Sequence, residues 1–254
     1  MSFQCIQQRQ PLVLCLTNSV AANFTANGLL AVGASPLMSE EKQEMEELVA
    51  IADAVLLNIG TIHEATKEAM HVAGRAANER SIPVILDPVG IGASTYRLRA
   101  VEELLQTVRI QCIRCNAGEL AVLAGEQWET KGVDSGNGEM AVATIAQKVA
   151  QTYGTIVFVT GASDIVTDGT SVIEIRGGDA RMTKVTATGC LLSALTAAVC
   201  ATENNTLQGL AQMAEQYKAA ATLACQQGGQ VGTIQYAFLN ALQQMAEEVI
   251  VWKS

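Results

Sequence analysis

TIVFVTG, residues 155–161, is the stretch on which the fold turns. Its apolar, β-branched core runs unbroken from Ile156 to Val159 and stops at Thr160-Gly161, the pattern of a strand covered on both faces. Upstream, EMAVATIAQKVAQTYG (139–154) carries helical spacing. Downstream, DIVTDGTSVIEIRGG (164–178) splits into two alternating runs around Asp168-Gly169 and predicts a hairpin.

The same alternation repeats toward the N-terminus. PLVLCLTN (11–18), AVLLNIG (54–60), IPVILDPV (82–89) and QCIRCN (111–116) are strand candidates. NFTANGLLAVGA (23–34), TIHEATKEAMHVAGRAANER (61–80), VEELLQTV (101–108) and AGELAVLAG (117–125) are helix candidates. From Cys190 onward the chain is helical, broken at ATENNT (201–206) and QQGGQVG (226–232). Strands alternating with helices predict a layered α/β fold around a mostly parallel sheet, as one domain over 1–254. With 254 residues and 49% hydrophobic content there is material for one large core.

A net charge of −9, with Lys and Arg scattered singly, argues against nucleic acid or an anionic membrane as partner. No window approaches the roughly eighteen apolar residues of a spanning helix, and MSFQCIQQRQP lacks the form of a secretory signal. Seven cysteines, an odd number, fit a reducing compartment, so a cytoplasmic location is expected. Cys112 and Cys115 form a lone C-x-x-C, which is expected to be core packing rather than a zinc or redox pair.

In parallel sheets ligands lie beyond the carboxyl ends of the strands. The polar residues there are Thr17-Asn18, Asn58, Asp87, Asn116 with Glu119, and Thr160-Gly161. Asp87 is expected at a solvated turn, as a brace or as an oxygen ligand for a cation; GIGAS (90–94) after it permits a close-approaching loop. Asn116 and Glu119 fit a capping box equally well as a metal-facing pair. GxxxxGK[ST], GxGxxG after the first strand and GxSxG are all absent, which disfavours P-loop, dinucleotide and serine-hydrolase chemistry. His63 and His71 are expected to be surface or packing residues of one helix.

KVTATGCLLSALTAAVC (184–200) opens a helix of small residues with Gly189 and Cys190 in its first turn. Free backbone N–H groups there can hold an anion, and the same position is expected to lower the thiol pKa of Cys190, making it a weak base or a hydroxyl-orienting group. With Mg2+ near Asp87 and Glu119, such a turn would stabilise charge on a transferred phosphoryl group.

The ordered set TN (17–18), NFTANGLLAVGASPLMS (23–39), NIGT (58–61), DPVGIGAS (87–94), RCNAGE (114–119), KGVDS (131–135), VTG (159–161), VTDG (166–169) and KVTATGC (184–190) resembles the hydroxyethylthiazole kinases of the ribokinase-like superfamily, over roughly residues 11 to 200. The resemblance implies a three-layer α/β/α fold without a separate lid domain, and ATP- and Mg2+-dependent phosphorylation of the primary hydroxyl of 4-methyl-5-(2-hydroxyethyl)thiazole. It implies Cys190 where related sugar kinases carry an aspartate base, and Gly189 as the anion-hole glycine. Met38, Ala187, Asn18 and Asn23 fall on the alcohol side; Arg114 and Thr160 match ATP contacts, and Asp87 and Glu119 the acidic pair around magnesium. It also implies a homotrimer with sites between subunits. Two positions depart from the family pattern: Gly118 stands for a serine, and Ala187 for a glycine whose backbone meets substrate. The competing activities are a hydroxymethylpyrimidine kinase, an ATP-dependent dehydratase of hydrated nicotinamide cofactors, and a non-catalytic nucleotide-binding regulator.

Overall fold

The computed structural model describes residues 2–126 and 136–247, so the KGVDS motif lies outside the described residues. Its strands are β1 (Leu12–Leu16), β2 (Ser35–Met38), β3 (Ala54–Asn58), β4 (Val84–Asp87), β5 (Cys112–Asn116), β6 (Ile156–Thr160), β7 (Asp164–Thr167) and β8 (Val172–Ile175). They form one 8-stranded sheet in the order β2-β1-β3-β4-β5-β6-β7-β8. Pairing is parallel from β2 across to β6 and antiparallel for β6–β7 and β7–β8, the predicted hairpin included.

The period of two along each strand divides the core. Val13, Cys15, Leu56, Ile85 and Phe158 pack under α1 (Ser2–Arg9), α2 (Ala22–Ala31), α8 (Thr188–Thr202), α9 (Thr206–Gly228) and α10 (Val231–Glu247). Leu14, Leu16, Leu57, Leu86 and Val157 face the opposite layer of α3 (Met45–Ile51), α4 (Glu64–Glu79), α5 (Thr95–Thr107), α6 (Ala117–Leu123) and α7 (Gly136–Tyr153). Both faces are therefore dry, which is why the strands are apolar without alternation. The result is the expected three-layer α/β/α arrangement, with no separate lid among the described residues. No described helix is long and apolar enough to cross a membrane.

Two local expectations change and a third holds. α5 starts at Thr95, capped by the Ser94 side chain on Arg97 N–H, rather than at 101. His63 precedes α4 and caps it by accepting from Thr66 N–H. Cys112 and Cys115 belong to opposite core faces, so they cannot share a metal or a disulfide; core packing is their role.

Candidate functional site

The carboxyl ends of β1, β3 and β4 hand their polar residues to one another. Asn18 Nδ2 donates to Asn58 Oδ1 at 2.9 Å, and Asn58 Nδ2 donates to Asp87 Oδ2 at 2.6 Å. Register explains the second contact, because Asn58 and Asp87 are paired across parallel β3 and β4. Gly60 allows the first: a Cβ there would lie 2.7 Å from Asn18 Nδ2. Arg97 ties the two loops together, donating to the carbonyls of Ile59, Gly60 and Val89.

Asp87 is not at a solvated turn. It ends β4 with no exposed surface, and the Ser193 hydroxyl donates to its Oδ2 at 2.7 Å. Burial pushes its carboxyl up to about 6, against the opposing pull of Arg114 and of the hydrogen bonds from Ser193 and Asn58. Its Oδ1 has no hydrogen bond and faces Arg114 Nη1 at 3.8 Å. A buried carboxylate oxygen left without a donor is an acceptor held for something else, and a hard oxygen of this kind suits a magnesium ion that fills its other positions with water and phosphate.

Glu119 answers its two readings unequally. It completes a capping box with Asn116, Oε2 accepting from Asn116 N–H at 3.0 Å, while Oε1 accepts from Gly90 N–H at 2.8 Å. Each oxygen thus holds one backbone donor and keeps further lone-pair capacity. Among the described residues no cluster of three or more His, Cys, Asp or Glu forms a metal cage, so a cation here would rest on one or two carboxylates.

Above these strand ends sits the start of α8. Ala187 caps it at φ 69°, a left-handed conformation in which a Cβ is strained and a glycine would not be. Leu191 N–H is bonded to Ala187 O at 2.9 Å, so the N–H groups of Thr188, Gly189 and Cys190 have no acceptor within the helix. Asn18 Nδ2 also donates to Cys190 Sγ at 3.2 Å. The expected lowering of the Cys190 thiol is reversed: burial first and the Asp87 charge second push it up. The hydrogen bonds from Asn18 and Asn58 and the Arg114 charge pull the thiol down, but the loss of water and then the neighbouring carboxylate act more strongly.

Arg114 and Thr160 come from adjacent strands β5 and β6, with Arg114 Nη2 donating to Thr160 Oγ1 at 2.5 Å. Gly189 lets the guanidinium lie against the helix start, because a Cβ there would be 2.8 Å from Arg114 Nη1. Both side chains line a cavity of about 540 Å³, together with Gly189, Leu192, Tyr217 and Lys218. That volume suits a small organic ligand, and its polar end is the cationic, N–H-rich helix start.

The remaining predicted residues lie toward the sheet edge. Met38 ends edge strand β2, half-buried against the α8-side core, and Asn23 is exposed in the first turn of α2, its Oδ1 accepting from Asn27. Ser193, Tyr217, Lys218, Gly60 and Arg97 were not singled out by sequence. Ser193 sits one turn after Gly189, a spacing that could have placed it on the same helix face; the others carry no sequence signal.

Residues 3–248 match the sequence model of the hydroxyethylthiazole kinase family. The hydroxyethylthiazole kinase of Lysinibacillus sphaericus is 51% identical over 248 residues, covering 98% of this chain and 97% of the relative. The structure of a hydroxyethylthiazole kinase protein from Pyrococcus horikoshii superposes with a TM-score of 0.88 at 34% identity, over 96% of this chain and 91% of that one. A ribokinase-like superfamily protein from Enterococcus faecalis superposes at a TM-score of 0.65 and 14% identity, over 93% and 88% of the two chains, and supports the fold alone.

Proposed function

The chain belongs to the hydroxyethylthiazole kinase family, and from that premise we propose that the strand-end cleft transfers the terminal phosphoryl group of ATP to the primary hydroxyl of 4-methyl-5-(2-hydroxyethyl)thiazole. The observation that carries the reading is the meeting of Arg114 and the N–H groups of the α8 start at one end of the cavity, with the buried Asp87 Oδ1 3.8 Å from Arg114 Nη1.

In this reading Arg114 and Thr160 hold the phosphates, and the N–H groups of Gly189 and Cys190 receive the charge that gathers on the transferred group. Asp87 and Glu119 would hold magnesium, which would supply counter-charge to the phosphates. Cys190 orients the alcohol. Its thiol stays protonated at neutral pH, and its sulfur already accepts from Asn18. A strong base is not needed in a loose transition state, where the attacking hydroxyl forms little bond and sheds its proton late. The first contribution is therefore direction, set by the Asn18–Asn58–Asp87 chain.

The thiazole lies on the Met38, Ala187, Asn18 and Asn23 side, where a polarisable thioether suits a heteroaromatic ring. This side runs out to edge strand β2, near exposed Val20 and Leu30, which are 65% and 59% accessible. The reading completes it with a second copy of the chain in a homotrimer, measurable by sedimentation. Seven free cysteines suit a reducing compartment, and the reading places the enzyme in the cytoplasm. The test is product identification after incubation with MgATP and a panel of thiazole and pyrimidine alcohols. Thiazole phosphate as the dominant product is expected; a pyrimidine phosphate, or ATP turnover without phosphorylated alcohol, overturns the assignment.

A further inference from the structure

Lys218 is 9% accessible and lies on α9 at the cavity wall. Its Nζ is 3.1 Å from Asp164 Oδ1 and donates to the carbonyls of Gly161 at 3.5 Å, Ala162 at 3.4 Å and Gly177 at 3.4 Å. Gly161 and Ala162 form the turn from β6 to β7, and Gly177 belongs to the segment after β8. Asp164 Oδ1 closes the same turn by accepting from Gly161 N–H at 3.1 Å.

These oxygens surround the ammonium as a coordination shell surrounds an ion. A lysine head has three donors and no acceptor, so four oxygens are served by one compact cation. Without it, converging carbonyl dipoles and a buried carboxylate would repel one another in a poorly screened setting. Burial already pushes the Asp164 carboxyl up, with Lys218 pulling it back down. A buried ion pair is weak evidence for stability as such, which directs attention to what it fixes in place.

What it fixes is the cavity wall. Gly177 and Gly178 have φ of +116° and +85°, and a Cβ on Gly178 would stand 3.5 Å from Lys218 Cγ, so the double glycine lies directly along the lysine stem. The preceding residue braces the opposite wall: Tyr217 Oη donates to Thr188 O at 2.6 Å, in the turn that opens α8. One step of α9 therefore spans the cleft.

We propose that Lys218 is a positioning residue for nucleotide binding, its tethered ammonium holding the β6–β7 turn and the Gly177–Gly178 segment as a preformed wall of the ATP side. The inference rests on the kinase reading above. It assigns Lys218 no contact with the reacting atoms.

The test is the split between substrates in Lys218→Ala. The KM for ATP rises about tenfold or more while the KM for the thiazole alcohol stays within about twofold, because the lost cation orders only one side of the cleft. Ammonium chloride restores much of the ATP affinity, and choline chloride at equal ionic strength does not, since only the smaller cation fits the oxygen shell. An ATP KM within about twofold of the unmutated protein, or equal rescue by both salts, overturns the proposal. If Lys218→Ala does not fold, Asp164→Asn decides by the same KM split. Failure of the unmutated protein to phosphorylate the thiazole in this assay sinks the kinase reading instead, and calorimetric ATP binding to the same variants then judges Lys218 separately.

Discussion

The two halves of the cleft are built differently. The side proposed for ATP, between β5–β6 and the α8–α9 layer, is walled by this chain: Arg114, Thr160, Tyr217 and Lys218 line its cavity, and each makes a hydrogen bond or ion pair within the protein, while Arg114 Nε is buried without a partner. The side proposed for the alcohol, between β1–β3 and edge strand β2, is more open, with Met38 half-buried and Asn23 exposed. In the proposed reading a charged co-substrate meets side chains already held by hydrogen bonds and ion pairs, whereas the small apolar ring meets a surface that the proposed second copy of the chain would complete. In that reading binding energy on the first side is preorganised electrostatics, and on the second it is burial.

The sharpest way to break the comparison is Gly189→Ala. The added Cβ would sit 2.8 Å from Arg114 Nη1 and drive the guanidinium off the helix start. We expect kcat/KM to fall about 100- to 1,000-fold, the scale of losing an oxyanion-type donor, with the melting temperature little changed. Retention of more than half the activity would remove Arg114 from the phosphate site. Next in size is Ser193→Ala, which strips one donor from Asp87 Oδ2. A drop of about tenfold in kcat and about 1 kcal/mol in stability by urea unfolding is expected; unchanged kcat would make Ser193 structural only.

The alcohol side is probed by thiol chemistry. Burial and the Asp87 charge hold the Cys190 proton, so the thiolate is scarce at neutral pH and grows only as pH rises past the ordinary thiol range. Iodoacetamide labelling of Cys190, followed by peptide mass spectrometry, should be slow at pH 7 and climb above pH 9. Rapid labelling near neutrality would restore a thiolate base. The smallest effect is Ala187→Gly, which relieves left-handed strain at φ 69° but loosens the unfolded chain. A net gain of about 0.5 kcal/mol in unfolding free energy is expected; a loss would mean the Ala187 methyl packs well enough against the core to outweigh its strain.

Much of this architecture is legible in the sequence because it follows from period and punctuation. β1 and β3 through β6 are dense apolar runs ending at polar residues, and those residues converge because a parallel sheet aligns its carboxyl ends. β2 escaped notice: SPLM is a short edge strand with a proline, too brief for a pattern. α1 escaped too, since only Phe3 and Ile6 mark its buried face in a polar stretch. At the site, Asp87 and Thr160 were visible as polar types at strand ends and the α8 start as the opening of a small-residue helix, whereas Arg114, inside β5, came only with the family resemblance. What sequence could not give is competition between local and tertiary effects. Helix-end logic lowers a cysteine pKa, but burial first, and second a carboxylate from more than a hundred residues away, reverse it. Lys218, in a run of alanines, has no local mark because its partners come from two distant turns.

The division of labour between the two sides is tested most directly by steady-state KM values for both substrates in Arg114→Met and Met38→Ala. The account predicts that Arg114→Met raises the ATP KM about tenfold or more and leaves the thiazole KM within about twofold, while Met38→Ala does the reverse. Both variants moving the same substrate's KM, or Met38→Ala moving that of ATP alone, would contradict it.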